Sequence, residues 1–210
     1  MKQNIIIKSL SFAAALLAAA ATTRGQNSVP ASGSMGLLGQ TYAGLTYSYL
    51  DLHNSPTNAD EYTFEYNQTL HSGLDGILTY DWSQSGLVAG DRVKAQGLGA
   101  ALRAYSTSYS FAKPYAEAGV GYTWTKFAGV HDNSFVWEAA VGAEFQVAAK
   151  TTVTPFLRYS DAPNLAVSSG TWDYGVKANY WVNSQWSVTG GISIDDDRNT
   201  AFTVGTNFRF

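Results

Sequence analysis

The sequence predicts an all-β chain: an antiparallel up-and-down barrel of about ten strands, with eight as the alternative. Three observations carry this. From Leu37 onward the chain is a run of short segments in which apolar and polar residues alternate with period two. Such alternation marks strands whose two faces meet different surroundings. The links between segments are short, so consecutive strands are antiparallel neighbours. Charged residues make up 14% of the chain and aromatics another 14%, whereas a soluble domain has about a quarter of its residues charged.

Taken in order, LLGQTYAGLTYSYLD sets Ala43, Leu45, Tyr47 and Tyr49 against Gln40, Gly44, Thr46 and Ser48. EYTFEYNQTL sets Tyr62, Phe64, Tyr66 and Leu70 against Thr63, Glu65, Asn67 and Thr69. GLDGILTYDWS sets Leu74, Leu78, Tyr80 and Trp82 against Asp75, Thr79 and Asp81, with Ile77 an apolar exception on the second face. RVKAQGLGAALRAY is irregular. Val93 and Ala95 share one parity, and Leu98, Ala100 and Leu102 share the other. One extra residue flips every side chain after it, so a bulge near Gly97 to Gly99 is expected to restore the faces.

KPYAEAGVGYTWT sets Ala116, Ala118, Val120, Tyr122 and Trp124 against Tyr115, Glu117, Gly119, Gly121 and Thr123. FVWEAAVGAEFQ sets Phe135, Trp137, Ala139, Val141, Ala143 and Phe145 against Glu138, Gly142, Glu144 and Gln146. TVTPFLRYS sets Val153, Pro155, Leu157 and Tyr159 against Thr154, Arg158 and Ser160, with Phe156 on the polar side. Pro155 lacks a ladder donor and is expected near a strand end or at a bulge. TWDYGVKANYW sets Trp172, Tyr174, Val176, Ala178 and Tyr180 against Asp173, Gly175, Lys177 and Asn179. WSVTGGISID sets Trp186, Val188, Ile192 and Ile194 against Ser187, Thr189, Gly191 and Ser193. TAFTVGTNFRF sets Phe202, Val204, Thr206, Phe208 and Phe210 against Thr203, Gly205, Asn207 and Arg209.

The segment ahead of the strands reads as targeting. Lys2 and Lys8 precede the apolar run Leu10 to Ala21, and Ala19 and Ala21 suit a cleavage site. Residues 1–21 are therefore expected to be a signal peptide, with the Gly25–Gln26 bond as a rival cut. The run is shorter than the roughly 20 residues of a spanning helix. Residues 22–34 read as a flexible lead-in and 35–210 as the barrel. The chain has no cysteine, which excludes disulfides and thiolate metal sites. Its net charge of −3 is dispersed, with no basic cluster for nucleic acid.

Alternating strands also suit a soluble barrel, so the question is which solvent the apolar face meets. Trp82, Trp124, Phe135, Trp137, Tyr159 and Trp172 lie beside the longer links. Tyr105, Tyr115, Phe145, Tyr180, Trp181, Trp186, Phe208 and Phe210 lie beside the shorter ones. Ala100, Ala118, Val141, Val176 and Val204 lie between. Two aromatic levels around an aliphatic band match the girdles of a membrane barrel. The polar face carries both signs of charge: Glu65, Asp75, Glu117, Glu138, Glu144 and Asp173 with Arg103, Arg158, Lys177 and Arg209. A closed lumen can pair them. Segments of about 9–12 residues suit tilted spanning strands, and closure satisfies the backbone in lipid.

The signal peptide, the tandem amphipathic strands, the KPYAEAGVGY type of strand and the closing FTVGTNFRF resemble the small bacterial outer-membrane β-barrels of the OmpA/OmpX-like class. The resemblance covers essentially the whole chain after the signal peptide. It departs in strand count, since the best-known members have eight. It implies a porin-like protein of the Gram-negative outer membrane, surrounded by lipid. In that class the last strand is the signal read by the barrel-assembly machinery, after escort by periplasmic chaperones. Phe202, Val204, Phe208 and Phe210 fall on its places.

The chemistry is sparse. His53 and His131 are expected in the longer loops with Asp51, Asp60 and Asp132, where a His–Asp pair could activate water. The motifs of barrel enzymes, the omptin proteases and the lipid A palmitoyltransferase, are missing. DDDRN (Asp195 to Asn199) is expected to be a tight hairpin rather than a calcium loop. No enzyme activity, cofactor or metal is expected. The expectation is a monomeric envelope protein with a structural or interaction role and a narrow channel, since side chains largely fill a barrel of this size. A transporter of small or hydrophobic solutes is the alternative, and a barrel enzyme a distant one.

Overall fold

A computed structural model of the protein describes residues 36–53, 55, 57–88, 90–109, 111–163 and 170–210. The signal-peptide and lead-in expectations over 1–21 and 22–34 lie outside the described residues. Ten strands follow one another: β1 (Tyr42–Asp51), β2 (Ala59–His71), β3 (Leu74–Val88), β4 (Asp91–Tyr105), β5 (Ala112–Phe127), β6 (Val130–Ala148), β7 (Thr151–Asp161), β8 (Thr171–Trp181), β9 (Trp186–Asp195) and β10 (Thr200–Arg209). Each pairs antiparallel with its neighbours in sequence, and β1 pairs with β10, so the sheet is a closed barrel. The closing ladder runs from Tyr42 opposite Arg209 to Asp51 opposite Thr200. The upper end of the barrel is defined here as the end where β1 finishes.

Period-two alternation decides which side chains line the wall outside and which fill it. Leu45, Phe64, Leu78, Leu102, Val120, Val141, Val188, Ile192 and Val204 are exposed around the outside. Asn67, Asp75, Asp81, Thr123, Glu144, Thr152, Asp173, Asn179, Ser187 and Asn207 are buried inside. This is the reverse of a soluble core. A wall that is apolar outside and polar within is stable when the outer solvent is hydrocarbon.

Aromatic rings meet ring to ring at two levels of the wall. Near the upper end Tyr47 meets Tyr62 at 5.3 Å and Tyr62 meets Trp82 at 5.7 Å. Tyr122 lies 5.2 Å from Trp124, and Trp137, Tyr159 and Trp172 form a chain at 5.2 and 5.0 Å. Near the lower end Trp186 meets Phe208 at 4.9 Å, and Phe208 meets Phe210 at 5.3 Å.

The strands differ more in length than the 9–12 residues expected. β1, β9 and β10 have 10 residues and β7 and β8 have 11, while β3 and β4 have 15, β5 has 16 and β6 has 19. The link between β5 and β6 shrinks to Ala128 and Gly129, both at positive φ (49° and 80°). That is the backbone of the two-residue turn whose twist suits a hairpin. His131 therefore stands in β6, not in a loop.

The bulge expected near Gly97 does not exist. β4 pairs without interruption through that region, with Gly97 opposite Asp81 and Thr123 and Gly99 opposite Thr79 and Gly121. Val93 and Ala95 instead point inward and are buried with Leu52 and Ala59. Above the upper aromatic level the faces exchange: Lys94 and Gln96 are exposed outside, and an apolar cluster is inside. Polarity inverts along the strand while register is kept. Pro155 is also placed differently. It lies mid-strand in β7, where the ladder to β6 passes from Gly142–Phe156 to Phe145–Val153 and leaves Thr154 and Pro155 without ladder pairs on β6. A missing donor is tolerated where the ladder has a gap.

Candidate functional site: the charged lumen

The inward parity of ten strands brings charged side chains of both signs into one lumen. An upper cavity of about 220 Å³ is lined by carboxylates from six strands: Glu61 and Glu65 of β2, Asp81 of β3, Glu117 of β5, Glu138 of β6, Asp173 of β8 and Asp195 of β9. Its cations are Arg103, Arg158 and Lys177. A lower cavity of about 110 Å³ adjoins it, sharing Glu65, Arg103 and Lys177 and adding Tyr42, Tyr115, Glu144, Asn179 and Asn207.

Pairing is local and cross-strand. Arg103 Nε donates to Glu117 Oε2 at 2.5 Å, these two residues being opposite each other on β4 and β5. Arg158 Nη2 donates to Asp173 Oδ2 at 2.5 Å from the corresponding positions of β7 and β8. Lys113 Nζ lies 4.0 Å from Glu144 Oε1. The Tyr42 hydroxyl donates to Glu65. Thr63 Oγ1 donates to Asp81 Oδ1 at 2.7 Å, while Asp81 Oδ2 is buried without a hydrogen-bond partner. Phe156, the aromatic on the polar parity of β7, stands inside beneath two cations. Lys177 Nζ is 5.4 Å and the Arg158 guanidinium 6.0 Å from its ring, the geometry of a cation–π contact.

The expected lumen residues are distributed over both levels. Glu65, Glu117, Glu138, Asp173, Arg103, Arg158 and Lys177 line the upper cavity. Asp75 and Glu144 lie lower, where they hold the segment ahead of β1. Arg209 lies at the lower end, with its guanidinium 4.6 Å above the Trp181 ring. Trp181 corrects an expectation. It shares the parity of Asp173 and Lys177, so it points inward, is 0% exposed and blocks the lower end instead of joining the girdle. Tyr105 and Tyr115 face inward too: Arg103 sits 5.4 Å over the Tyr115 ring. Trp82, Trp124, Trp137, Trp172 and Trp186 are on the outside. Phe202, Val204 and Phe210 are exposed there, and Phe208 packs between Trp186 and Phe210, tilted to the first and edge-on to the second.

Glu61, Asp81, Lys113 and Asp195 belong to the lumen and lie outside the network expected from sequence. Parity offered the signal for the first three, since Glu61 continues Thr63 and Glu65, Asp81 continues Asp75 and Thr79, and Lys113 continues Tyr115 and Glu117. Asp195 closes a hairpin, accepting from Asn199 N at 2.8 Å and Asn199 Nδ2 at 2.7 Å. Among the described residues no group of three His, Cys, Asp or Glu is placed to hold a metal ion.

No protein-family model matches the sequence, and no curated protein matches it. Solved structures do. The β domain of the Bordetella autotransporter BrkA superposes with a TM-score of 0.50 at 11% identity, over 81% of this chain and 99% of that one. Neisserial surface protein A gives 0.48 at 12%, over 80% and 96%. The NanC porin gives 0.49 at 9%, over 80% and 100%. At these identities the likeness is one of fold. The fold is that of the outer-membrane β-barrels. Within that class this chain is a small ten-stranded barrel with an obstructed, carboxylate-rich lumen.

Proposed function

We propose that the protein is a monomeric integral protein of the outer membrane, with a structural role in the envelope and a narrow, cation-preferring conduction path. One observation carries this: seven carboxylates face three cations in the upper cavity, and two of those cations are already ion-paired. Rings of carboxylates favour cations and repel anions. The path is narrow because an apolar cluster roofs it, Leu52, Ala59, Val93 and Ala95 with Leu50, Val88 and Phe127, and because Trp181 and residues 36–41 fill its lower end. Planar-bilayer recording across a KCl gradient tests this. Brief, small openings reversing toward the potassium potential are expected. Steady porin-sized conductance, or anion preference, would overturn it.

The apolar outer wall supports lipid as its surroundings. Extraction by salt or carbonate without detergent would sink the membrane assignment. β10 is the strand we assign to the assembly machinery, with Phe202, Val204, Phe208 and Phe210 toward lipid. A Phe210→Ala variant is expected to accumulate less folded barrel in cells, read by heat-modifiable migration. The histidines have no catalytic role in this proposal. His53 and His131 stand on different elements and both are exposed, so His53→Ala and His131→Ala should leave envelope phenotypes unchanged.

A further inference from the structure

The six residues ahead of β1 do not continue the wall. They turn across the lower end of the lumen, and barrel side chains grip them by their backbone. Leu37 N donates to Glu144 Oε2 at 2.7 Å, and Gly39 N donates to Asp75 Oδ2 at 2.9 Å. Lys113 Nζ donates to the Leu38 carbonyl at 2.9 Å, and Asn67 Nδ2 to the Gln40 carbonyl at 2.6 Å. Arg209 Nη1 reaches Gln40 Oε1 at 3.3 Å. These partners come from β2, β3, β5, β6 and β10. The segment makes its own turn, Gln40 N to the Leu37 carbonyl at 3.2 Å. Leu38 is buried, and Leu37 and Leu38 form the floor of the lower cavity.

Two features mark a seated piece. Asp75 and Glu144 are buried at 0% and 5% exposure, and each accepts a backbone N–H of the segment. A carboxylate kept from water needs such donors, and the segment supplies one to each. The fit also depends on glycine at two positions. A Cβ on Gly36 would run into the Glu144 carboxylate. Gly39 has φ +78°, and a Cβ there would stand 2.6 Å from the Tyr105 hydroxyl. Positive φ of this kind is open to glycine and costly for a branched side chain.

We infer that residues 36–41 are a built-in stopper. The segment is latched by Asp75 and Glu144, and it must leave its seat before a solute can pass the lower end of the lumen. The proposal rests on the narrow-path reading above, but its test does not depend on conduction.

The chain has no native cysteine, so single cysteines report cleanly. Leu38→Cys reads the seat, and Thr189→Cys reads the lower cavity that the segment floors. The probe is a small, charged methanethiosulfonate reagent applied to the folded barrel in lipid vesicles. Both cysteines are expected to react slowly in the otherwise native chain. Gly36→Leu with Gly39→Val alters no residue of the wall and should raise both rates about tenfold or more, as expected when a protected segment opens. Asp75→Ala with Glu144→Ala removes both acceptors and should act in the same direction, and it replaces the glycine pair if that variant does not fold. Fast labelling of Leu38→Cys in the native chain would overturn the stopper. So would an unseated segment that leaves the Thr189→Cys rate unchanged. Absence of any conductance in a barrel whose Thr189→Cys has become reactive would refute the conduction reading and leave the stopper standing.

Discussion

At its lower end the lumen is filled by Trp181 and a segment held by its backbone, and at its upper end by apolar side chains. The lower segment is held through its backbone, whose N–H and C=O groups meet Asp75, Glu144, Lys113 and Asn67 one by one. The upper filling is an apolar cluster, Leu52 and Ala59 against Val93 and Ala95. The first depends on direction and on a few acceptors. The second depends on buried area and is indifferent to orientation. A polar seat can therefore be selective and reversible. An apolar roof tolerates exchange of one hydrocarbon side chain for another and fails when a charge enters it.

Four substitutions probe that contrast, each read as the shift in urea unfolding of the barrel in lipid vesicles by tryptophan fluorescence. Val93→Asp puts an unpaired carboxylate into the roof and should cost about 4 kcal/mol. A cost below that of Val93→Ala would show that the roof is wet. Trp181→Ala empties the largest fully buried side chain and removes the face beneath Arg209, with a loss of about 3 kcal/mol. An unchanged midpoint would mean that Trp181 fills space without supporting the wall.

Arg103→Gln leaves Glu117 without its partner and should cost about 2 kcal/mol. Adding Glu117→Gln should return part of it, and strict additivity of the two would deny the pairing. Asp75→Asn keeps an acceptor for Gly39 N and should cost about 1 kcal/mol or less. A loss as large as that of Trp181→Ala would mean that the charge of Asp75, not its lone pair, holds the segment.

The alternation of residues made the ten strands, their antiparallel order and the meeting of the first with the last legible, because period two reports directly on two unlike solvents. It failed where the solvents change. In β4, Lys94 and Gln96 face outward above the girdle and Leu98, Ala100 and Leu102 face outward within it, with no change of register. A rule that equates apolar with outside reads this as a bulge. The same change hid the upper parts of β5 and β6: the polar run His131 to Ser134 has the composition of a loop, yet it pairs residue by residue from Lys126 to Thr123.

The lumen network was partly legible. Glu65, Glu117, Arg103, Arg158 and Asp173 all lie on the inward parity, whereas which carboxylate meets which cation depends on cross-strand register, which a single segment does not contain. Trp181 is hard to read from sequence because aromatic type puts it with its girdle neighbour Tyr180, while its parity, shared with Asp173 and Lys177, puts it inside. The segment 36–41 was illegible for a different reason. It binds through its backbone, and backbone groups leave almost no mark on sequence beyond Gly36 and Gly39.

The uneven strands give the mouth a shape. Seven residues of β6, Val130 to Val136, run past its last pair with β7, on the order of 20 Å of extended chain. β3, β4 and β5 rise beside it, while β7, β8, β9, β10 and β1 stop lower. Among the described residues the strand ends make an oblique rim, like a spout. A large body approaching the upper end would strike the tall wall and its two-residue Ala128–Gly129 tip first. A small one would meet Asp195 and Asn199 of the upper cavity beside the low ends of β9 and β10. The barrel thus presents one face as an obstacle and the opposite face as a threshold.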